Sequence, residues 1–101
     1  MSKLTLEALS GPLDGAALTL EAETEWSKAG QGSLSFPWDE ELGAPQARFR
    51  PTQDGWSLEG VKSPHGTYRL NREERVAAPT SLAADDVLKA SNTWLLVQKI
   101  E

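Results

Sequence analysis

The sequence predicts an all-β fold, an antiparallel β-sandwich of two sheets with little or no helix. Apolar residues recur mainly with period two, as in Leu4, Leu6 and Ala8, and polar residues lie between them. This alternation is typical of strands that are buried on one face. Turn-forming residues separate such runs at intervals of roughly ten residues. With 101 residues, 39% of them hydrophobic, residues 1–101 are expected to form one domain around a single core, alone or as a module of a longer protein.

The strands are predicted in order along the chain. The opening hairpin pairs residues 4–8 with residues 18–22 across the connector SGPLDG. Later strands are predicted where the same alternation returns, at Leu34/Phe36, Ala47/Phe49, Trp56/Leu58, Tyr68/Leu70 and Trp94/Leu96. This pattern assigns Trp56 and Trp94 to the core. Trp38 follows a proline in a polar loop and is the better candidate for exposure, as a ring that covers the end of the sandwich.

One segment favours a different structure by local propensity. The run TSLAADDVLKAS (residues 80–91) offers an N-cap candidate at Thr80 or Ser81, two alanines and an acidic capping partner. These features predict a short helix.

Composition restricts the classes of partner and of chemistry. The formal net charge of −5 disfavours nucleic acid and anionic membranes. The absence of cysteine removes thiol nucleophiles, disulfides and the usual zinc motifs, and it fits a reducing compartment. No run approaches the roughly 20 apolar residues of a membrane span, and the N-terminus lacks a signal-peptide pattern. A cytoplasmic location is therefore expected.

Catalytic and metal-binding patterns are weak. Ser63 and His65, the only histidine, lie on a turn without an orienting acid nearby in the sequence. Residues 39–41 (DEE) lack the alternating oxygen ligands of a calcium loop and are predicted to form a solvated acidic loop. The pair at residues 85–86 is predicted to be a turn or a cap. No enzymatic activity, metal or cofactor is expected.

Taken in order, these strands and turns resemble a forkhead-associated (FHA) domain, and the resemblance covers essentially the whole chain. LSGPLDGAALTL resembles the first two strands of the family, and LSFPWDEELGAPQARF the stretch leading into its Ser-x-x-His-Ala motif. GWSLEGVKSPHGTYRLN resembles the Ser-x-Asn-Gly-Thr turn, and LAADDVLKASNTWLLV the closing strands. In this alignment Ala84-Asp85 replaces the Gly-Asp of the family. Val87 then begins a strand, against the local helix propensity.

The resemblance implies a phosphothreonine-peptide site at the loop end of the sandwich, with most of its residues replaced. The phosphate-contacting arginine of the family aligns, by its spacing to Leu34, with Lys28 after Ser27. The phosphate-contacting serine aligns with Gly43, and the histidine that supports that loop with Gln46. The asparagine that holds the peptide backbone aligns with His65. The site residues predicted by resemblance are Ser27, Lys28, Gly43, Ala44, His65, Gly66 and Thr67.

Three functions are consistent with these observations. The first is a non-enzymatic interaction module of FHA type with weakened or lost phosphothreonine recognition, whose partner is a protein or peptide, a second copy, or another part of a larger parent. The second keeps phosphothreonine binding in kinase signalling through Lys28, with compensation from Lys62, His65, Arg48 or Arg69. The third is an enzyme that uses His65 with Ser63 or with an acidic residue. Members of the family commonly serve as modules within bacterial signalling and secretion proteins, which implies a larger parent here.

Overall fold

The strands follow the period-two pattern of the sequence except at Leu34 and Phe36, where the predicted strand is wrong: Ser35 between them forms only an isolated bridge with Ser27. The computed structural model describes residues 3–9, 14–28, 34–43, 46–53, 55–60, 66–70, 74–76 and 79–101. Within these ranges the strands are Leu4–Ala8 (β1), Ala17–Leu20 (β2), Thr24–Trp26 (β3), Ala47–Thr52 (β4), Gly55–Gly60 (β5), Thr67–Arg69 (β6), Glu74–Arg75 (β7), Thr80–Ser81 (β8), Val87–Ala90 (β9) and Thr93–Ile100 (β10). The described residues contain no helix long and apolar enough to cross a membrane.

The strands form two antiparallel sheets, as the sequence predicts. One sheet has six strands in the order β2-β1-β10-β9-β6-β7, and the other has four in the order β3-β4-β5-β8. The first and last strands are neighbours, with Leu4 opposite Ile100. The amide of Lys3 donates to the carbonyl of Glu101 at 2.9 Å, and the amide of Glu101 donates back at 2.8 Å. The predicted β-sandwich is therefore confirmed.

The core lies between the two sheets and receives alternate residues of each strand. Leu4 and Leu6 of β1 are fully buried against Trp26 and Phe49 of the opposite sheet, together with the rest of one continuous cluster. The rings of Trp26 and Phe49 stack with their centroids 6.0 Å apart. Each such aromatic or leucine side chain contributes about 1.5–3 kcal/mol by leaving water. This burial fixes which face of each strand points inward.

Trp94 corrects one prediction about the core. Its side chain is 36% exposed, whereas its neighbour Leu95 is fully buried. The sequence of β10 has apolar residues on both parities, so the pattern alone does not decide which set points inward. Trp56 is buried as predicted, and Trp38 is 40% exposed, as predicted for the loop tryptophan. Trp94 therefore belongs to the outer face of the six-stranded sheet.

Residues 80–91 form strands and a turn, so the local helix prediction is wrong and the strand predicted to begin at Val87 is confirmed. Hydrogen bonds to the buried carboxylate of Asp86 hold this segment in place of the hydrogen bonds of a helix. The carboxylate accepts hydrogen bonds from the amide of Ala83 at 2.9 Å and from Nη1 of Arg69 at 3.2 Å. Arg69 also donates to the carbonyl of Ser81 at 2.9 Å. Because Asp86 and Arg69 are both buried, this ion pair joins β6 to the start of β9 in a site of low dielectric, where removal of one partner is costly.

Candidate functional site

Three chain segments meet at one end of the sandwich, and backbone hydrogen bonds hold two of them together. The amide of Ser27 donates to the carbonyl of Leu34 at 3.0 Å, and the amide of Phe36 donates to the carbonyl of Ser27 at 2.8 Å. The amide of Lys28 donates to the carbonyl of Gly43 at 3.0 Å. The segment that follows β3 is therefore paired with both ends of loop 34–43. We call the surface formed by Ser27–Lys28, Gly43 and Gly66–Thr67 the loop end.

Gln46 connects the third segment to the other two. Its Oε1 accepts a hydrogen bond from the amide of Gly43 at 2.8 Å. Its Nε2 donates to the carbonyl of Gly66 at 3.0 Å and to Oγ1 of Thr67 at 2.9 Å. The side chain is completely buried, so each of these bonds forms in a site from which water is excluded. The distance between Gly43 and Gly66 is thus set by one amide group, at the position that aligns with the supporting histidine of the FHA family.

Lys28 directs its ammonium group toward the loop rather than away from it. Its Nζ donates to the main-chain carbonyl of Glu40 at 3.0 Å. An ammonium group has three donors, so this contact uses only part of its capacity. Lys28 and Gly43 are therefore brought together as the resemblance implies, with Lys28 already engaged by the loop.

Ser27 and Gly43 offer little to a ligand. Ser27 is buried, with 6% of its surface exposed, and forms an isolated bridge with Ser35. The amide of Gly43 is committed to Gln46 and its carbonyl to Lys28. Having no side chain, Gly43 supplies no hydroxyl at the position that aligns with the phosphate-contacting serine.

Gly66 favours glycine because of its backbone conformation. Its φ is +72°, in the left-handed region that other residues rarely adopt. A Cβ at this position would lie 3.1 Å from Nε of Arg75 and 3.3 Å from the hydroxyl of Tyr68. Thr67 is buried, with its Oγ1 bonded to Gln46. Ala44 and His65 lie outside the described residues, as do Lys62 and Ser63, so their predicted roles stay predictions.

The acidic loop corrects another prediction, because Asp39 is buried rather than solvated. Its carboxylate accepts hydrogen bonds from Oγ of Ser91 at 2.8 Å, Oγ1 of Thr93 at 2.7 Å and the amide of Asn92 at 3.0 Å. Burial raises the pKa of Asp39, but hydrogen bonds from these groups and the amide of Glu41 outweigh it, so the pKa lies below its ordinary value of 3.8. Asp39 therefore fastens the loop to the turn between β9 and β10.

No spacing rule in the sequence pairs Asp39 with the run Ser91-Asn92-Thr93, which lies more than 50 residues later. The only available signal is the richness of that run in hydrogen-bond donors. Among the described residues, no three His, Cys, Asp or Glu side chains come together in a group that could hold a metal ion.

The two arginines proposed to compensate for the lost phosphate contacts do not lie at the loop end. Arg69 points into the sandwich and pairs with Asp86, and Arg48 pairs with Glu25 at 3.5 Å across β3 and β4. Arg75, which the sequence analysis did not single out, has its guanidinium beside Gly66. Nothing in the sequence marks Arg75 as a site residue. Its position is known only from the strand register, which places it opposite Tyr68.

Comparison with known proteins gives a match in structure only. No protein-family model matches the chain, and no curated protein matches it in sequence. The structure is similar to the FHA domain of a hypothetical protein from Arabidopsis thaliana, with a TM-score of 0.83 and 20% identity over 97% of this chain and 86% of that one. It is also similar to an FHA domain studied for phosphothreonine-dependent interactions, with a TM-score of 0.79 and 19% identity over 96% of each chain.

A third similar structure is the kinase-interacting FHA domain of kinase-associated protein phosphatase (KAPP) in Arabidopsis, with a TM-score of 0.74 and 21% identity over 96% of this chain and 93% of that one. The chain has the FHA fold. The likeness covers 96–97% of this chain, so both sheets are included.

The turn before β9 contains the pair Ala84-Asp85, which the resemblance aligns with the Gly-Asp of the family. Asp85 has a φ of +74°, the conformation that glycine adopts most easily. The next residue, Asp86, is buried, as is Leu88 of the following strand. The alignment of the pair stays a prediction.

Proposed function

We propose that this FHA-fold chain is a non-catalytic protein-interaction module that binds a segment of a protein partner at the loop end, with phosphothreonine recognition there weakened or lost. The partner is a protein or peptide, a second copy, or another part of a longer parent protein. We further propose that it acts in the cytoplasm, in keeping with a chain that has no cysteine.

One combination of observations carries this proposal: the scaffold is retained, but the residues that align with the phosphate-contacting positions are different. Gln46 holds Gly43 and Gly66 at a fixed separation, as a peptide-binding surface needs. Yet Gly43 has no hydroxyl, and Lys28 presents a point charge where arginine would present a bidentate fork. Each charge-assisted hydrogen bond contributes about 1.5–3 kcal/mol. Loss of the hydroxyl and weakening of the cation contact together cost ~3–5 kcal/mol, which lowers affinity about a hundred- to several-thousandfold.

One observation favours a second candidate, phosphothreonine binding through Lys28. The Lys28 ammonium contacts the carbonyl of Glu40 at 3.0 Å, so it already lies at the loop end. Only one of its three donors is used there. One of the similar structures is an FHA domain with phosphothreonine-dependent interactions, which makes this the natural alternative.

A paired peptide titration separates the two candidates. A degenerate phosphothreonine peptide library and the same library without phosphate are titrated into the ¹⁵N-labelled chain. Under the first candidate, phosphorylation changes the affinity by less than about threefold, well under 1 kcal/mol. Chemical-shift changes at the backbone amides of Ser27, Lys28 and Gly43 indicate binding at the loop end.

The second candidate predicts the opposite result. Phosphorylated peptides then bind at least about a hundredfold more tightly, and Lys28→Ala abolishes that preference. Lys99→Ala is the matched control, because Lys99 is an exposed lysine that pairs with Glu101 at the far end of β10. Phosphate-dependent binding that Lys28→Ala removes and Lys99→Ala leaves intact would rule out the first candidate.

A further inference from the structure

A row of aromatic and cationic side chains crosses the outer face of the six-stranded sheet. The register places Trp94 of β10 opposite Lys89 of β9, Lys89 opposite Tyr68 of β6, and Tyr68 opposite Arg75 of β7. Residues directly opposite each other in antiparallel strands project from the same face. Trp94 and Arg75 are exposed, and Lys89 and Tyr68 are half-buried. We call these four residues the outer row.

Side chains at both ends of the outer row lie close to one another. The Lys89 ammonium lies 5.4 Å from the centroid of the Trp94 ring, within the range of a cation–π interaction. At the other end, a Cβ on Gly66 would be within 3.3 Å of both the Arg75 guanidinium and the Tyr68 hydroxyl. The row therefore alternates between rings and cations. Trp, Tyr and Arg are also the residue types most enriched among the energetically dominant residues of protein interfaces.

The outer face of the other sheet has a different chemistry. There Arg50 pairs with Glu23 at 2.6 Å and with Glu59 at 3.7 Å, and Arg48 pairs with Glu25. The charges on that face thus neutralise each other across the strands. In the outer row, by contrast, neither Lys89 nor Arg75 has a carboxylate within 4.0 Å among the residues that the structure describes. Within the described part of the chain its cations thus have no such partner, although the chain carries a net charge of −5.

An open cleft of about 190 Å³ adjoins the middle of the row and is lined by Glu41, Tyr68, Lys89, Ser91 and Asn92. Its lining is mainly polar and includes Tyr68 and Lys89 of the row. Glu41 is the acidic residue in this lining, so it would oppose an anionic ligand that approached Lys89. A side chain of the partner can enter here beside the row.

We propose that the outer row is a docking surface for an extended acidic segment of a protein partner, with its carboxylates on Lys89 and Arg75 and its apolar groups on Trp94 and Tyr68. This surface borders the loop end, since the Arg75 guanidinium lies beside Gly66, but its four residues are not those of the loop end, and binding there does not depend on the proposed function of the loop end. The occupant follows from charge complementarity, since two cations without a described acidic partner flank one aromatic ring.

The spacing of the cations specifies the segment further. Lys89 and Arg75 are two strands apart, and neighbouring strands lie about 4.8 Å apart, so their backbone positions are separated by about 9.5 Å. A polyproline II segment rises about 3.1 Å per residue with three residues per turn, so residues i and i+3 share one face about 9.3 Å apart. The best-fitting partner therefore has acidic residues three positions apart in a proline-rich, extended stretch.

The test uses a proline-rich 12-residue peptide with two glutamates three positions apart, and the same peptide with both changed to glutamine. Each is titrated into the ¹⁵N-labelled 101-residue chain, and the indole N–H signals of the four tryptophans are followed. The Trp94 signal should shift with the glutamate peptide and stay in place with the glutamine peptide. The signals of Trp26 and Trp56, which are buried, should remain unchanged with both.

Variants then locate the contacts. Arg75→Gln and Lys89→Gln should each weaken binding about two- to fivefold, as expected for exposed ion pairs. Arg48→Gln is the matched control and should leave the affinity unchanged, since Arg48 lies on the other sheet. Glu41→Gln should strengthen binding about twofold, because it removes the opposing charge beside Lys89.

Three results would overturn the proposal. The first is equal binding of the two peptides. The second is shifts confined to Lys28 and Gly43, which would assign acidic peptides to the loop end. The third is a concentration-dependent Trp94 shift without peptide that Arg75→Gln suppresses, which would assign the surface to a second copy of the chain. Each outcome leaves the paired phosphothreonine titration at the loop end unaffected, so the two proposals fail independently.

Discussion

At position 46, a single buried amide joins Gly43 to Gly66, which lies 20 residues after Gln46 in the sequence. Glutamine can do this because one end of its amide accepts and the other donates. The resemblance to FHA domains places a histidine here. In its neutral form, histidine offers one acceptor and one donor, so it could support the same two segments. Gln46 thus bridges the two segments in this chain.

We predict that Gln46→Ala lowers the free energy of unfolding by about 3 kcal/mol, because three side-chain hydrogen bonds of about 1 kcal/mol each are lost. Gln46→His should lower it by only about 1 kcal/mol, since two of the three bonds can be rebuilt. Urea denaturation measures both. Gln98→Ala is the control, as that amide bonds Glu7 on the surface and should change stability by less than about 0.5 kcal/mol. Equal effects at positions 46 and 98 would contradict the bridging role.

At the scale of elements, loop 34–43 depends on the turn between β9 and β10. Asp39 makes the connection, with hydrogen bonds to Ser91, Asn92 and Thr93. Because Trp38 and Glu40 flank Asp39 in the chain, this attachment also limits where their backbones lie. The Glu40 carbonyl then receives the Lys28 ammonium. The position of Lys28 at the loop end is therefore linked, through Asp39, to the six-stranded sheet.

The stabilisation by Asp39 should depend on pH in a defined direction. The pKa of Asp39 is lower in the folded chain than its ordinary value of 3.8, so its contribution is fully present well above pH 3.8. It is lost as the pH falls from 3.8 through the lower, folded-state pKa. Asp39→Asn should cost about 2 kcal/mol at pH 7, because hydrogen bonds to a buried carboxylate are lost, and progressively less below pH 3.8.

Urea denaturation of the wild type and of Asp39→Asn between pH 7 and pH 2 tests this prediction. Asp14→Asn serves as the control, since Asp14 is exposed in the first turn. A difference between the wild type and Asp39→Asn that stays constant across this pH range would show that the carboxylate charge is not what holds the loop.

At the scale of the whole molecule, the pairing of the first strand with the last dominates the topology. Leu4 lies opposite Ile100, so the six-stranded sheet cannot form completely until residues from both ends of the chain have come together. β6 reaches the same sheet from the middle of the sequence, between strands of the other sheet. Such non-local pairing requires the chain to close long loops, at a cost in conformational entropy, before the contacts between strands can stabilise the native state.

We therefore predict refolding in milliseconds to seconds, roughly the range for sandwiches dominated by non-local contacts. Stopped-flow tryptophan fluorescence measures the rate. The equilibrium unfolding curves from fluorescence and from far-ultraviolet circular dichroism should coincide, because both sheets share one core. Relaxation in microseconds, or two separate curves, would contradict this account.

The fold was largely predictable because strand alternation is a local signal, whereas the site depends on contacts that no local signal encodes. Leu4, Leu6 and Phe49 are buried as their parity predicts. Trp94 is not, because β10 is apolar on both parities and only the partner sheet selects a face. Asp39 is buried because three donors are supplied from about 50 residues further along the chain, and the residues around it give no sign of them.

The exchange of hydrogen bonds between Lys3 and Glu101 also determines how the molecule responds to force. These residues lie side by side at the same end of the β1–β10 pair. Tension applied between them acts across the ladder rather than along it, so the hydrogen bonds break one pair at a time from that end. A sheet loaded along its strands would instead have to break many bonds together. Under a pulling load on residues 3 and 101, we expect this sandwich to open at low force by peeling β1 from β10.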